Sequence, residues 1–451
     1  MSVRERGISE PGAGWKLAVA GHVGLACATA AWVGVATATM KPQPGAGWVA
    51  FWVVCAVATA AGPWRPTLAL MGYIVAAYAT PRYGHAYATL MHAGALNGMA
   101  LCVLTGCGLF VLRRGGDAAW GRWHLAVMLA FTLWLAVCAA VAAVRGSAWA
   151  PHPNHHPLLF FQGLAVYLAA AWGMRGREQF AALAAALCAA LLARGFVSGR
   201  EGLALEGDAS FLSVMALPLA LLGFQAARGW GAKGGFALGA VGLVALLALT
   251  RNRGAAVAFV VLLPVLGWHC LRGPFRGRGR VLAIAAPALL IAGVVFAQSD
   301  YWERFTGIWR GTDHANSVRE RVMIWQASRR VIAEHPVFGV GTGNFHNVLR
   351  EYEPAMAMDF AAHNNYIHVL AETGFIGLAL YVGVFGGALW LCRRTWRAAG
   401  HDWPAPAARM VFASLIAYLA AGFFMSRHDL PLAYLLCGAA VGGWRGLKIA
   451  D

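Results

Sequence analysis

The 451-residue chain is 59% hydrophobic and 12% charged, with a formal net charge of +17. Soluble domains carry roughly a quarter of their residues as charges, so this balance excludes a water-soluble enzyme and points to a polytopic membrane protein. The basic excess reads as cytoplasmic anchoring to anionic membrane lipids, and no nucleic-acid partner is expected.

A helix needs about 20 apolar residues to cross a bilayer. Uncharged runs bounded by Arg, Pro, Gly or polar clusters fall near 15–38, 47–62, 66–80, 86–112, 121–144, 158–174, 179–193, 210–227, 234–250, 255–271, 280–298, 371–391, 408–426 and 430–446. The first run is long and lacks a small-residue cleavage site, so it reads as a retained span. Neighbours such as 47–62 and 66–80 are short enough to form a re-entrant or tilted pair. The expected fold is therefore all-α: a polytopic integral membrane helix bundle of about 12, at most 14, transmembrane helices. One long helical outer segment, 299–370, divides an N-terminal bundle (1–298) from the C-terminal helices (371–451).

Orientation follows from the positive charges. Arg4, Arg6 and Lys16 open the chain, and Arg113, Arg114, Arg175, Arg177, Arg272, Arg276, Arg278, Arg280, Arg393, Arg394 and Arg397 fall on the same side if the runs alternate. That side is assigned to the cytoplasm, with both termini. The nine cysteines lie in or at the edges of apolar runs without a C-x-x-C pair, which suits small core residues and not disulfides or metal sites.

On the outer side, PHPNHHP (151–157) places His152, His155 and His156 in a small proline-bounded loop, an opportunistic metal site at best. Arginines on that side oppose the topology signal. Arg194 and Arg200 lie in ARGFVSGREGLALEGD, and Arg251 and Arg253 in TRNRGA. Singly, each is accounted for by Glu201, Glu206, Asp208 or headgroups. As a set with Arg319 and Arg321, they suit a phosphate-rich ligand, because guanidinium forks grip phosphate oxygens through paired hydrogen bonds.

The segment 299–370 opens on SDYWER, the aromatic and charged pattern of a membrane exit. Residues 317–334, SVRERVMIWQASRRVIAE, predict an amphipathic helix near the bilayer surface. HPVFGVGTGNF (335–345) then breaks it with Pro336 and strings Gly339, Gly341 and Gly343 through a tight structural turn. A nucleotide-binding role for these glycines fits poorly, since no strand precedes them. Glu351 and Glu353 in REYEP read as a solvated turn. The stretch HNNYIHVLAETGFIGL (363–378) gathers His363, Asn364, Asn365, His368 and Glu372 at the entrance to an apolar run. Read as a helix, it puts His363 on a face with Ile367 and Leu370, with Asn364 or Asn365 as the cap. A neutral imidazole there is suited to accept a proton near neutral pH.

From IWQASRRVIAEHPVFGVGTGNF through HNNYIHVLAETGFIGLALY, the chain resembles the O-antigen ligase and polymerase superfamily: a helix, a Pro-x-x-Gly-x-Gly turn, then His-Asn opening a transmembrane helix with Glu-x-Gly. TRNRGA is similar to that family's outward Ser/Thr-x-x-Arg-Gly segment, with Asn252 in place of the commoner serine. SGREGLALEGDASFLSVMALPLAL is similar to the stretch before the next span. The resemblance covers roughly residues 190–392.

It implies a multi-pass glycosyltransferase of the bacterial inner membrane with a periplasmic active site. In the ligase branch, glycan passes from undecaprenyl diphosphate-linked O-antigen to a sugar hydroxyl of the lipid A-core. By motif, His363 and Arg253 are the implied catalytic residues, and Arg194, Arg200, Arg251, Arg319 and Arg321 the diphosphate ligands. Glu372 and Glu201 are alternative bases. No cofactor or metal is expected, the arginines taking the metal's electrostatic role. Alternatives are an O-antigen polymerase, a protein O-oligosaccharyltransferase, or a lipid-linked glycan flippase. The flippase fits less well because the outer charges collect at one edge and do not run through the bundle.

Overall fold

The computed structural model describes residues 13–39, 46–80, 95–114, 122–145, 158–200, 207–250, 252–272, 315–353, 361–400 and 402–450. All regular elements among them are helical: α1 (Ala13–Thr39), α2 (Ala46–Thr59), α3 (Pro66–Ala79), α4 (Ala95–Arg114), α5 (Arg122–Val144), α6 (Leu158–Gly173), α7 (Arg177–Arg200), α8 (Gly207–Ala226), α9 (Trp230–Leu249), α10 (Arg253–Arg272), α11 (Ala315–Glu334), α12 (Phe345–Tyr352), α13 (Asn365–Ala399), α14 (Ala405–Ala421) and α15 (Pro431–Ala450). The chain is a helical membrane protein.

Among the described residues, five helices are long and apolar enough to cross a membrane: residues 122–144 of α5, 177–198 of α7, 208–226 of α8, α9 and α13. Seven shorter apolar helices among the described residues fall on others of the expected runs. The 14-residue α2 and α3 each extend about 21 Å, against a hydrocarbon core of about 30 Å. The apolar run 280–298 lies outside the described residues.

The centre of the bundle is formed by α8, α13, α14 and α15. Helix α8 is buried almost throughout and is surrounded by α7, α9, α10 and α14. Helix α15 packs on α6 through glycines four residues apart. A Cβ on Gly438, Gly442 or Gly446 would come within 2.2, 2.4 or 2.5 Å of the carbonyl oxygens of Tyr167, Met174 and Arg175. This is the small-residue packing that lets helix backbones approach inside a membrane. By contrast, Gly386 has nothing within 4 Å of its Cβ position.

The element that positions the site is a strap between the glycine turn and α13. Val340 N donates to Ala371 O (3.0 Å), Gly341 N to Glu372 O (3.0 Å) and Phe375 N to Pro336 O (2.9 Å). Helix α13 is broken at Gly374, whose φ of 67° and ψ of −173° are non-helical. The break presents carbonyls that a continuous helix would consume internally. Gly339, Gly341 and Gly343 all have positive φ, as the tight turn requires. The two backbones meet so closely that a Cβ on Gly374 would lie 2.1 Å from Val337 O, and one on Gly339 2.2 Å from the Glu372 carbonyl carbon. The turn is thus a structural clasp, as its lack of a preceding strand suggested.

Gly374→Ala and Gly339→Ala each combine a forbidden contact with left-handed backbone. Each is expected to destabilise the protein by on the order of 2 kcal/mol or more. Gly386→Ala, in open space on the same helix as Gly374, is expected to be neutral or slightly stabilising. Thermal unfolding in detergent, followed by size-exclusion chromatography, checks the contrast; equal melting of all three variants would contradict it.

Candidate functional site

The N-terminus of α13 is capped by Asn364, whose side-chain oxygen accepts from Tyr366 N (2.9 Å) and Ile367 N (3.1 Å). Asn364 is extended, and His363 before it has a φ of 48°, a left-handed conformation uncommon for a non-glycine residue. His363 is therefore not on the helix, and the expected shared face with Ile367 and Leu370 does not form: the cap turns the chain before the first helical residue. Asn365 ties this corner to the α14–α15 connection. Its Oδ1 accepts from Arg427 N (2.6 Å), and its own N–H donates to Gly422 O (2.7 Å).

Helix α11 lies over the same corner. Ile324, Ala327 and Val331 are fully buried in a small core with Phe345, Leu349, Ala362 and Ala371. The spacing of three, four and seven residues is the apolar stripe read in the sequence. Trp325 Nε1 donates to Ala362 O (2.9 Å), pinning the helix beside His363. One turn N-terminal of Trp325, Arg321 interacts electrostatically with both His363 and Arg253.

Three sequence segments thus converge: the start of α10, the start of α11 and the corner before α13. Burial first, and then the Arg321 guanidinium, push the His363 imidazole down to about 4. Burial and the nearby Arg253 lower the pKa of Arg321 from its ordinary value. An arginine starts so high that it stays charged at neutral pH. The result is a neutral imidazole beside the Arg321 guanidinium, which has Arg253 as its own neighbour.

Arg253 occupies the first turn of α10, where the helix dipole is also positive. Asn252 Oδ1 accepts from Ala255 N (3.1 Å), capping that helix. A serine caps in the same way, so the asparagine keeps the local structure that presents Arg253. Gly254 is needed for close approach, since a Cβ there would meet Phe424 Cβ at 2.4 Å. Two neighbouring guanidinium groups, one at a helix N-terminus, are chemically suited to an anion.

The other expected residues divide differently. Arg194 is 2% exposed and lines a cavity of about 30 Å³ with Asp208, Gln162 and Arg427, a lining that includes neither Arg253 nor Arg321. Arg251 and Glu201 lie outside the described residues, as do the side chains of Arg200 and Arg319. Of the carboxylates in REYEP, Glu351 is exposed and Glu353 pairs with Arg330 at 3.2 Å. Residues 151–157 are outside the described residues.

Glu372 is 1% exposed. Its Oε1 lies 3.1 Å from His368 Nε2 and its Oε2 3.5 Å from His428 Nε2. Arg427 bridges Asp208 (2.6 Å) and Asp429 (3.0 Å). The connection that carries Arg427 and His428 is held by tyrosines: Tyr418 OH donates to Arg427 O (3.1 Å) and Tyr434 OH to His428 O (2.6 Å). Arg427, His428 and Asp429 were missed in the sequence. Their signal was the polar quartet Ser426–Arg427–His428–Asp429 between two apolar runs.

The family described as O-Antigen ligase matches residues 238–382. Residues 238–382 are similar to that family. No curated protein matches the chain. The family segment runs from within α9 into α13, so it contains the α10 N-terminus, all of α11, the glycine clasp and the His363 corner. Arg253, Arg321 and His363 therefore all fall inside the O-antigen ligase region. Arg194, Asp208 and Arg427 lie outside it.

Histidine-selective NMR is expected to place the His363 titration near 4, well below the ordinary 6.5. Arg321→Gln is expected to raise it by removing the positive neighbour. A titration at the ordinary value in the parent protein, unmoved by Arg321→Gln, would contradict the arrangement.

Proposed function

We propose that the protein is an O-antigen ligase of the bacterial inner membrane, with a periplasmic active site and both termini in the cytoplasm. It transfers glycan from undecaprenyl diphosphate to a sugar hydroxyl of the lipid A-core. The observation that carries this reading is the convergence of Arg253, Arg321 and His363 at one corner of a membrane helix bundle. An anionic leaving group and a proton are the two things such a transfer must handle, and this corner offers a group for each.

In the proposed reaction, the acceptor hydroxyl oxygen attacks the anomeric carbon of the donor sugar. The new carbon–oxygen bond forms as the bond to the diphosphate breaks, and the diphosphate leaves with the electron pair. His363 takes the hydroxyl proton, while Arg253 and Arg321 offset the charge growing on the departing oxygens. A single displacement of this kind inverts the anomeric centre. The arginines also supply the charge compensation that a divalent ion gives in other diphosphate-using transferases, so turnover is expected without an added metal.

The low pKa of His363 carries a specific consequence. The imidazole accepts a proton only when neutral, so activity falls as pH drops through its pKa and is retained above it. In the free enzyme that limb lies near 4. Bound diphosphate offsets the field of Arg321, so the imidazole becomes more basic. The acid limb of kcat is therefore expected at higher pH than that of kcat/KM. Coincident limbs at the ordinary histidine value would count against His363 as the base.

The direct test supplies purified protein with undecaprenyl diphosphate glycan and rough lipopolysaccharide. Transfer to lipopolysaccharide is expected, and His363→Ala and Arg253→Ala should each lower kcat/KM by at least about 100-fold. Lengthening of the carrier-linked glycan would identify a polymerase instead. Full activity in both variants would remove the proposed mechanism.

A further inference from the structure

We propose that His368, Glu372 and His428 form a binding site for a divalent first-row transition metal, with zinc the ion that best suits the ligands. The ion would act as an internal clip, and the proposal goes beyond the glycan-transfer reading. The three side chains are 0%, 1% and 1% exposed. They offer two imidazole nitrogens and a carboxylate oxygen, all within 4.8 Å of one another.

The local geometry supports a shared centre. His368 and Glu372 are four residues apart on α13, one turn above another on the same face. His428 arrives from the α14–α15 connection and directs the same atom, Nε2, at the same carboxylate. The rings of His368 and His428 lie 4.5 Å apart at a tilt of 40°, flanked by Phe345 and Phe160 at 4.8 and 5.5 Å. His346 is 5% exposed, and its ring centroid is 5.7 Å from that of His368, making it the neighbouring imidazole for a fourth position.

Zinc takes imidazole nitrogen and carboxylate oxygen at about 2.0–2.2 Å, so tetrahedral ligands stand roughly 3.3 Å from one another. Each imidazole already stands at about that spacing from one carboxylate oxygen, His368 at 3.1 Å from Oε1 and His428 at 3.5 Å from Oε2. Ligand atoms as much as 4.8 Å apart would have to close by about 1.5 Å to complete the site. Two imidazoles with one carboxylate are borderline-soft ligands, which favour zinc and its transition-metal neighbours over magnesium or calcium. A divalent ion also compensates a carboxylate buried away from water, which is costly when left alone.

The clip would join the kinked helix α13 to the connection that carries Arg427, and so set how the C-terminal pair of helices meets the family segment. It holds no substrate atom, and the arginine site does not depend on it for charge.

The test uses full-length, tag-free protein carrying alanine at His152, His155 and His156, which removes the competing loop histidines. Elemental analysis is expected to find about one zinc per chain. Replacement by cobalt should give the visible d–d absorption of a low-coordinate centre. X-ray absorption at the zinc edge of this same protein should show two imidazoles and an oxygen ligand. His428→Asn is expected to lose at least about nine-tenths of the metal, and His363→Asn to retain it. Less than about a tenth of an ion per chain with no cobalt absorption overturns the proposal and leaves a hydrogen-bonded triad only. Equal metal in His428→Asn and its parent also overturns it. Should His428→Asn fail to fold, the X-ray absorption of the starting protein decides. None of these readouts depends on glycan transfer, so this site and the proposed activity stand or fall separately.

Discussion

The backbone clasp between residues 336–341 and the break in α13 at Gly374 is the constraint on which the site depends. Inside a bundle buried from water, the freed carbonyls of a broken helix must find donors. They find them in Val340 and Gly341, and the Phe375 N–H finds Pro336 O. That exchange locks α11 and α12 to α13 through a core of their own, separate from the main hydrophobic core. The position of Arg321 beside His363 follows from it.

Around the clasp, charge is sorted into distinct environments. At the family corner, Arg321 lies between Arg253 and a neutral His363. Tied to the same corner through Asn365, Arg427 is held by Asp208 and Asp429, and Arg194 shares a cavity with two of these groups. The first arrangement suits a visiting anion. The second has its counter-charges built in and fastens α8 to the α14–α15 connection. Of the outer arginines grouped in the sequence, Arg253 and Arg321 are neighbours and Arg194 sits with Asp208 and Arg427, while the side chains of Arg200, Arg251 and Arg319 lie outside the described residues.

The resemblance carried by short motifs acquires physical content in the same way. The Pro-x-x-Gly-x-Gly turn and the Glu-x-Gly of α13 are the two halves of the clasp. In His-Asn, the asparagine is the helix cap and the histidine sits in the left-handed corner before it. In TRNRGA, Asn252 caps α10, Arg253 faces the site and Gly254 admits Phe424. Each of these residues has either a backbone reason or an electrostatic one.

Hydropathy by itself determined that the chain is a helical membrane protein, where most of the apolar helices begin and end, and that α11 is amphipathic. Those properties depend on lipid as solvent and on a 3.6-residue repeat, both local along the chain. Motif resemblance pointed to Arg253, Arg321 and His363 and expected them to meet around one ligand, in a set with Arg194, Arg200, Arg251 and Arg319. Only the tertiary structure decided that Arg321 lies between the other two while Arg194 belongs elsewhere, because contacts between residues 42 to 68 positions apart depend on packing. It also decided that His363 precedes its helix, and that His428 reaches Glu372. A side chain's partner across a bundle is set by helix direction, kink and crossing, none of which a one-dimensional pattern contains.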